Sequence, residues 1–157
     1  MTTRNEVLIR WIGRSQRTCV NSALRGEERE FFVDRLDRLA RTIEQMPMTG
    51  QTDGQGDDAI AHLHYFAGGT ASWYITERDI GSPDDATDDF QSQAFGLADL
   101  FGDGGELGYI SIPELLAAGA EIDLHFEPKS LREIRKAAGA TAATNKRRVE
   151  RSGMDVV

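Results

Sequence analysis

Residues 59–80 read AIAHLHYFAGGTASWYITERDI, and this stretch decides the fold. On either side of Gly68-Gly69 the residues alternate, with Leu63 and Tyr65 before the pair and Trp73 and Ile75 after it. A period of two sends successive side chains to opposite faces of a strand, and paired glycines ease a tight reversal. The stretch predicts an antiparallel β-hairpin with one face on a core. Working outward, QAFGLADLF (93–101) continues as a third strand, GDGGE (102–106) as a turn and Gly108 to Ile112 as a short strand. Ser111 with Glu114 three residues later marks a capped helix start, with Pro113 in its first turn and Gly119 past its end. IDLHFEP (122–128) predicts another strand, and KSLREIRKAAGA (129–140) a helix opened by Ser130 with Glu133 at capping distance.

Upstream of the hairpin the period is helical. In EEREFFVDRLDRLARTIEQM, Phe32, Leu36, Leu39, Ile43 and Met46 recur at spacings of four and three, which lines them along one face. Pro47 and Gly50 end that helix, and Glu6 to Arg17 predicts a shorter one carrying Leu8, Trp11 and Ile12. MTGQTDGQGDD has almost nothing to bury and predicts a flexible linker. The organisation expected is an N-terminal helical segment (1–47), a linker (48–58), a domain (59–140) and a basic disordered tail (141–157). The expected fold class is α+β: a mostly antiparallel sheet of four to five strands, covered on one face by the 27–46 and 130–138 helices.

Charge divides the chain. Residues 1–50 carry nine Arg against seven acids, residues 51–128 carry sixteen acids against Arg78 alone, and residues 129–157 carry eight basic residues against three acids. Such a middle block repels polyanions, so nucleic acid is an expected partner only of the basic tail. The basic ends could instead meet the acidic block. No apolar run approaches the roughly 20 residues of a membrane span, the N-terminus has no evident secretion signal, and the single Cys19 supplies neither a disulfide nor a cysteine-built zinc site. A cytoplasmic location is expected.

Four ordered stretches, ASWYITERD, AFGLADL, ELGYISIPEL and DLHF, resemble the bacterial family catalogued as domain of unknown function 2958 over about residues 62–126. That family has no assigned activity, and its members are typically encoded on plasmids, conjugative elements and phage-like islands. The resemblance implies an accessory role in element maintenance, transfer or resistance to host defence. This chain departs from the family pattern at HLHYF and in its linker and Arg-rich helix, so the N-terminal third inherits nothing from it.

Candidate chemistry is sparse. His62 and His64 share a strand face, and His125 with Asp123 or Glu127 could complete a zinc site, although solvated strand histidines have the same spacing. Glu77, Asp99, Glu106 and Asp123 lie in or beside the four stretches, where carboxylates serve acid–base work, bind magnesium, or simply cap turns. Asp123 with His125 is an acid–base candidate, whereas Ser72 and Ser111 lack a nucleophile-elbow context. GDGGELG lacks the Lys-Ser/Thr and helix of a phosphate loop. The leading expectation is a non-enzymatic, cofactor-free acidic factor that binds a host or element-encoded protein through Trp73, Glu77, Asp99, Glu106 and Tyr109. In one version it mimics DNA with Asp84, Asp85, Asp88, Asp89, Asp99 and Asp103. Phe31, Phe32, Leu36 and Leu39 could serve docking or homodimerisation, or pack on the chain's own sheet. The competing expectation is a zinc- or magnesium-dependent hydrolase using His62, His64 and His125 with Glu77 or Asp123.

Overall fold

The computed structural model describes residues 3–81 and 91–139; the expected basic tail and nearly all of the acidic loop at 81–89 lie outside them. Three helices come first, α1 (Arg4–Leu8), α2 (Arg14–Ala23) and α3 (Arg29–Gln45). Strands β1 (Ile60–Ala61), β2 (Leu63–Ala67), β3 (Ala71–Glu77), β4 (Ala94–Asp99) and β5 (Glu106–Ile110) follow. Then come α4 (Ile112–Ala117), β6 (Glu121–Ile122), β7 (Lys129–Ser130) and a last helix, α5, over residues 131–139.

The hairpin forms in the register its alternation requires, from Leu63 opposite Ile75 to Ala67 opposite Ala71, with Gly68 at φ +60° in the reversal. It sits inside an antiparallel five-stranded sheet of order β5-β4-β3-β2-β6, while β1 and β7 pair separately. Gly96 is obligatory at the β3–β4 contact, because a Cβ there would lie 1.9 Å from the Tyr74 carbonyl oxygen.

Alternation divides the sheet between two cores. On one face Leu63, Tyr65, Ile75, Ala94 and Ile110 pack with Leu36, Leu39, Ala40 and Ile43 of α3, with Leu8, Trp11 and Ile12, and with Ile112 and Leu115 of α4. On the other, Leu97 and Tyr74 pack with Ala59, Ala61, Phe126, Leu131 and Ile134. This corrects the expectation that both long helices cover one face. Ile75 meets α3 and its neighbour Tyr74 meets the α5 cluster, and adjacent strand residues point opposite ways. The α3 stripe thus docks on its own sheet; each buried Leu or Ile side chain is worth about 1.5–3 kcal/mol.

Three local expectations change. The single helix over Glu6–Arg17 is two helices. Thr3 and Glu6 form a capping box that starts α1, and Gly13 at the N-cap starts α2. Between them, Trp11 and Ile12 are buried, and the Trp11 carbonyl accepts the hydroxyl of fully buried Tyr65. A regular helix would have engaged that carbonyl within itself. Residues 48–58 are a run of turns fastened to the end of β3: Met48 bridges Arg78, and the Glu77 carboxylate accepts from Gly50 N, Thr52 N and Thr52 Oγ1. The strand expected over 122–128 stops at Ile122, because Asp123 turns the chain by accepting from His125 N at 2.9 Å.

Candidate functional site

The sheet face opposite α3 carries His64, Tyr74, Phe95 and Tyr109. His64 on β2 stands across from Tyr74 on β3 and stacks on it, with ring centroids 4.6 Å apart and planes 6° apart. Phe126 tilts over both rings. The imidazole bridges two polar partners: Nδ1 lies 3.2 Å from Asp123 Oδ2 and Nε2 lies 3.0 Å from Ser72 Oγ. A carboxylate only accepts, so Nδ1 carries the proton and Nε2 accepts from the Ser72 hydroxyl. Burial holds the His64 pKa below its ordinary value; the hydrogen bond and charge of Asp123 oppose that, and Lys129 adds to the depression. Burial wins, so the Asp123 contact is a hydrogen bond to a neutral imidazole.

The other histidines go elsewhere. His62, its pKa also lowered by burial, lines a cleft of about 50 Å³ with Arg35, Arg38 and Glu127. His125 is exposed and stacks on Phe31 of α3 at 5.6 Å. Among the described residues, no group of three or more His, Cys, Asp or Glu is placed to hold a metal. The zinc and magnesium sets are therefore not assembled there. The Asp123–His125 dyad is likewise replaced by Asp123–His64.

The expected binding residues separate into two kinds. Glu77 is 3% exposed and serves the 50–52 turns. Asp99 is buried and accepts from Gly102 N at 2.8 Å, Asp103 N at 3.2 Å and Gly104 N at 3.4 Å, which shapes the β4–β5 turn. Trp73 is half-buried against the α3-side core. Glu106 and Tyr109 remain exposed on β5, where Tyr109 meets Phe95 edge-on at 5.5 Å.

Beside Tyr109 the sheet is incompletely covered. A cavity of about 360 Å³ lies on the α5 side, lined by Thr52, Ala59, Thr76, Phe95, Leu107 and Leu131 among others. Its size falls within the range of ligand clefts. Tyr109 is 67% exposed and Phe101 79%, with Leu100 and Leu107 also exposed. Among the described residues β5 pairs only with β4, so its outer edge has no strand partner. Edge strands are usually blunted by charged side chains, Pro, a bulge or short length; the five residues ELGYI carry one charge, Glu106 at the start, have no Pro and pair without a register shift. Asp53 lines the cavity and Glu106 is exposed on β5, while Arg132 and Arg135 of α5 are paired with Asp58 and Asp57.

Two parts of this surface were open to sequence reasoning. Counting back from the Gly68-Gly69 reversal puts His64 opposite Tyr74 and diagonal to Ser72. Asp123 had no such signal, because its approach depends on where the chain turns after β6. No protein-family model, curated protein or solved structure matches this chain.

Proposed function

We propose that the protein is an acidic, non-enzymatic binding module that receives an extended protein segment along β5. The observation that carries this reading is the β5 edge, without a strand partner among the described residues, beside the cavity lined by Phe95 and Leu107. An added strand would satisfy edge N–H and C=O groups, and its alternate side chains would drop toward the cavity. Asp53 in the cavity wall and Glu106 on the edge favour a segment with apolar residues flanked by Lys or Arg. The setting proposed for this role is a mobile element, with a host or element-encoded protein as partner. The described acids give less support to DNA mimicry. Asp99 is buried in a turn, while Glu106 and Glu121 lie on opposite edge strands of the sheet.

The test is photo-crosslinking from position 109 in bacterial lysate, with position 121 on the other edge as control. The expected result is a discrete adduct from 109 alone, weakening as salt rises. Identical adducts from both positions, or none from 109, overturn the reading.

A second reading rests on one specific observation, the Ser72–His64–Asp123 hydrogen-bond chain. It has the order of groups used in acyl transfer. Ser72 Oγ would attack a carbonyl carbon, its proton would pass to His64 Nε2 and on to the leaving group, and water would release the acyl group by the same route. The reading stands second because Ser72 lies within the β2–β3–β4 ladder, whose backbone amides are poorly available as oxyanion donors. Fluorophosphonate labelling of the wild type that is absent in Ser72→Ala would establish it, and an unlabelled wild type would dismiss it.

A further inference from the structure

We infer that the cavity beside β5 receives one long cationic side chain, of the lysine type, from the segment docked on that edge. The inference rests on the proposed reading of β5 and adds to it the chemistry of the ligand. Three neighbouring strands supply part of the lining, with Thr76 from β3, Phe95 from β4 and Leu107 from β5. Asp53 and Ala59 of the turns before β1, and Leu131 at the start of α5, supply much of the rest.

Reach decides the length of the side chain. Leu107 pairs with Leu97 and Tyr109 with Phe95, so all four stand on the α5 side of the sheet. A strand added to β5 would put every second side chain on that same side, roughly 4.8 Å beyond Leu107 and roughly twice that from Phe95. A short side chain would stop over Leu107. The long unbranched stem of lysine passes over it into a space of about 360 Å³.

Charge decides the end group. Among the described residues no basic side chain lines the cavity. Thr52 and Thr76 spend their hydroxyl hydrogens on Glu77 Oε2 and the Phe95 carbonyl, so neither side chain offers a donor to an anion. Asp53 is exposed and forms no ion pair with a described residue, whereas Asp57 and Asp58 are engaged by Arg135 and Arg132. An ammonium group would take the Asp53 carboxylate as acceptor while its stem covers Phe95, Leu107 and Leu131. Amphipathic side chains bury carbon and keep their charge near water in this way. A purely apolar side chain would displace water from Asp53 and replace none of its hydrogen bonds.

The experiment is NMR titration of the full chain with three extended threonine/valine peptides that differ only at the central residue, which is lysine, norleucine or glutamate. It is repeated on Asp53→Asn, which removes the charge with little change of shape. Amides of residues 106–110 report on the edge, and those of Gly54 and Gly56 on the cavity. The expected result is saturable shifts in both sets with the lysine peptide, and at least about threefold weaker binding of the norleucine peptide, the modest size that suits an exposed ion pair. The glutamate peptide should bind more weakly still, and Asp53→Asn should erase the advantage of lysine over norleucine. Norleucine binding as tightly as lysine, or an advantage that survives Asp53→Asn, overturns the inference and leaves the docking edge standing. Edge amides that move while Gly54 and Gly56 stay still have the same meaning. Failure of every peptide to bind removes the edge reading itself, and the inference with it.

Discussion

Glu77 is an acid that the fold has turned inward. Its two carboxylate oxygens accept from Gly50 N, Thr52 N and Thr52 Oγ1, and this fixes the 48–58 turns against β3. Glu77→Gln substitutes an amide whose nitrogen only donates, so one acceptor is lost and a donor faces donors. The variant is expected to lose about 1.5–3 kcal/mol in urea unfolding. An unchanged midpoint would mean that the turns are held by something else. His64 gives a prediction in pH. Burial lowers its folded pKa, and that of His62, below the unfolded value of about 6.5. The unfolded chain therefore binds protons first as pH falls, so stability is full above that value and declines through and below it. Urea midpoints should drop between about pH 7.5 and about pH 5.5, which bracket the free imidazole value. The drop should be smaller in His64→Gln, and an equal drop in both proteins would exclude His64 as its source.

Elements were legible where local chemistry specifies them. Ser111 does accept from Glu114 N and Ser130 from Glu133 N, so both helix starts follow from a hydroxyl three residues before an acid. The hairpin and α3 follow from strict periods. What escaped was set at a distance. Leu8, Trp11 and Ile12 suit a helix face, yet the helix breaks between α1 and α2, where the Trp11 carbonyl meets Tyr65, 54 residues away. IDLHFEP alternates like a strand, yet Asp123 turns to reach His64, 59 residues away. Of the candidate surface, Glu106 and Tyr109 are exposed as a binding edge needs, while Glu77 and Asp99 are held in turns, a distinction that residue type alone does not make. The β3–β4 contact carries its own prediction. Gly96→Ala would drive a methyl into the Tyr74 carbonyl, against backbone that cannot rotate away as a side chain would. It should cost about 3 kcal/mol or more, above the usual range for an overpacked core, and lower soluble yield. A thermal midpoint like that of the wild type would mean that the two strands can separate at little cost.

At the scale of the whole molecule, the basic ends meet the acidic middle. Arg132 lies 2.9 Å from Asp58 and Arg135 3.3 Å from Asp57, which fastens α5 to the turn before β1. Glu127 lies 3.6 Å from Arg35 and 3.4 Å from Arg38, joining the loop after β6 to α3. Most of these groups are partly or largely exposed, and such pairs contribute little individually. The sixteen acids of residues 51–128 meanwhile repel one another over longer distances, with net charge −8 for the chain. Salt acts unequally on the two effects. Raising it from about 0.01 M to about 0.15 M shortens the Debye length from about 30 Å to about 8 Å. That range screens repulsion between separated acids more than attraction between groups in contact. Sodium chloride is therefore expected to stabilise the protein, by on the order of 1 kcal/mol, which for a chain of this size raises the thermal midpoint by about 2–4 °C. Calorimetric scans across that range test it, and sodium sulfate at equal ionic strength separates screening from the general stabilising action of excluded salts. A midpoint that falls as chloride rises would mean that the contacts between basic ends and acidic middle outweigh the repulsion. In that case Arg132→Gln and Arg135→Gln should together abolish the fall.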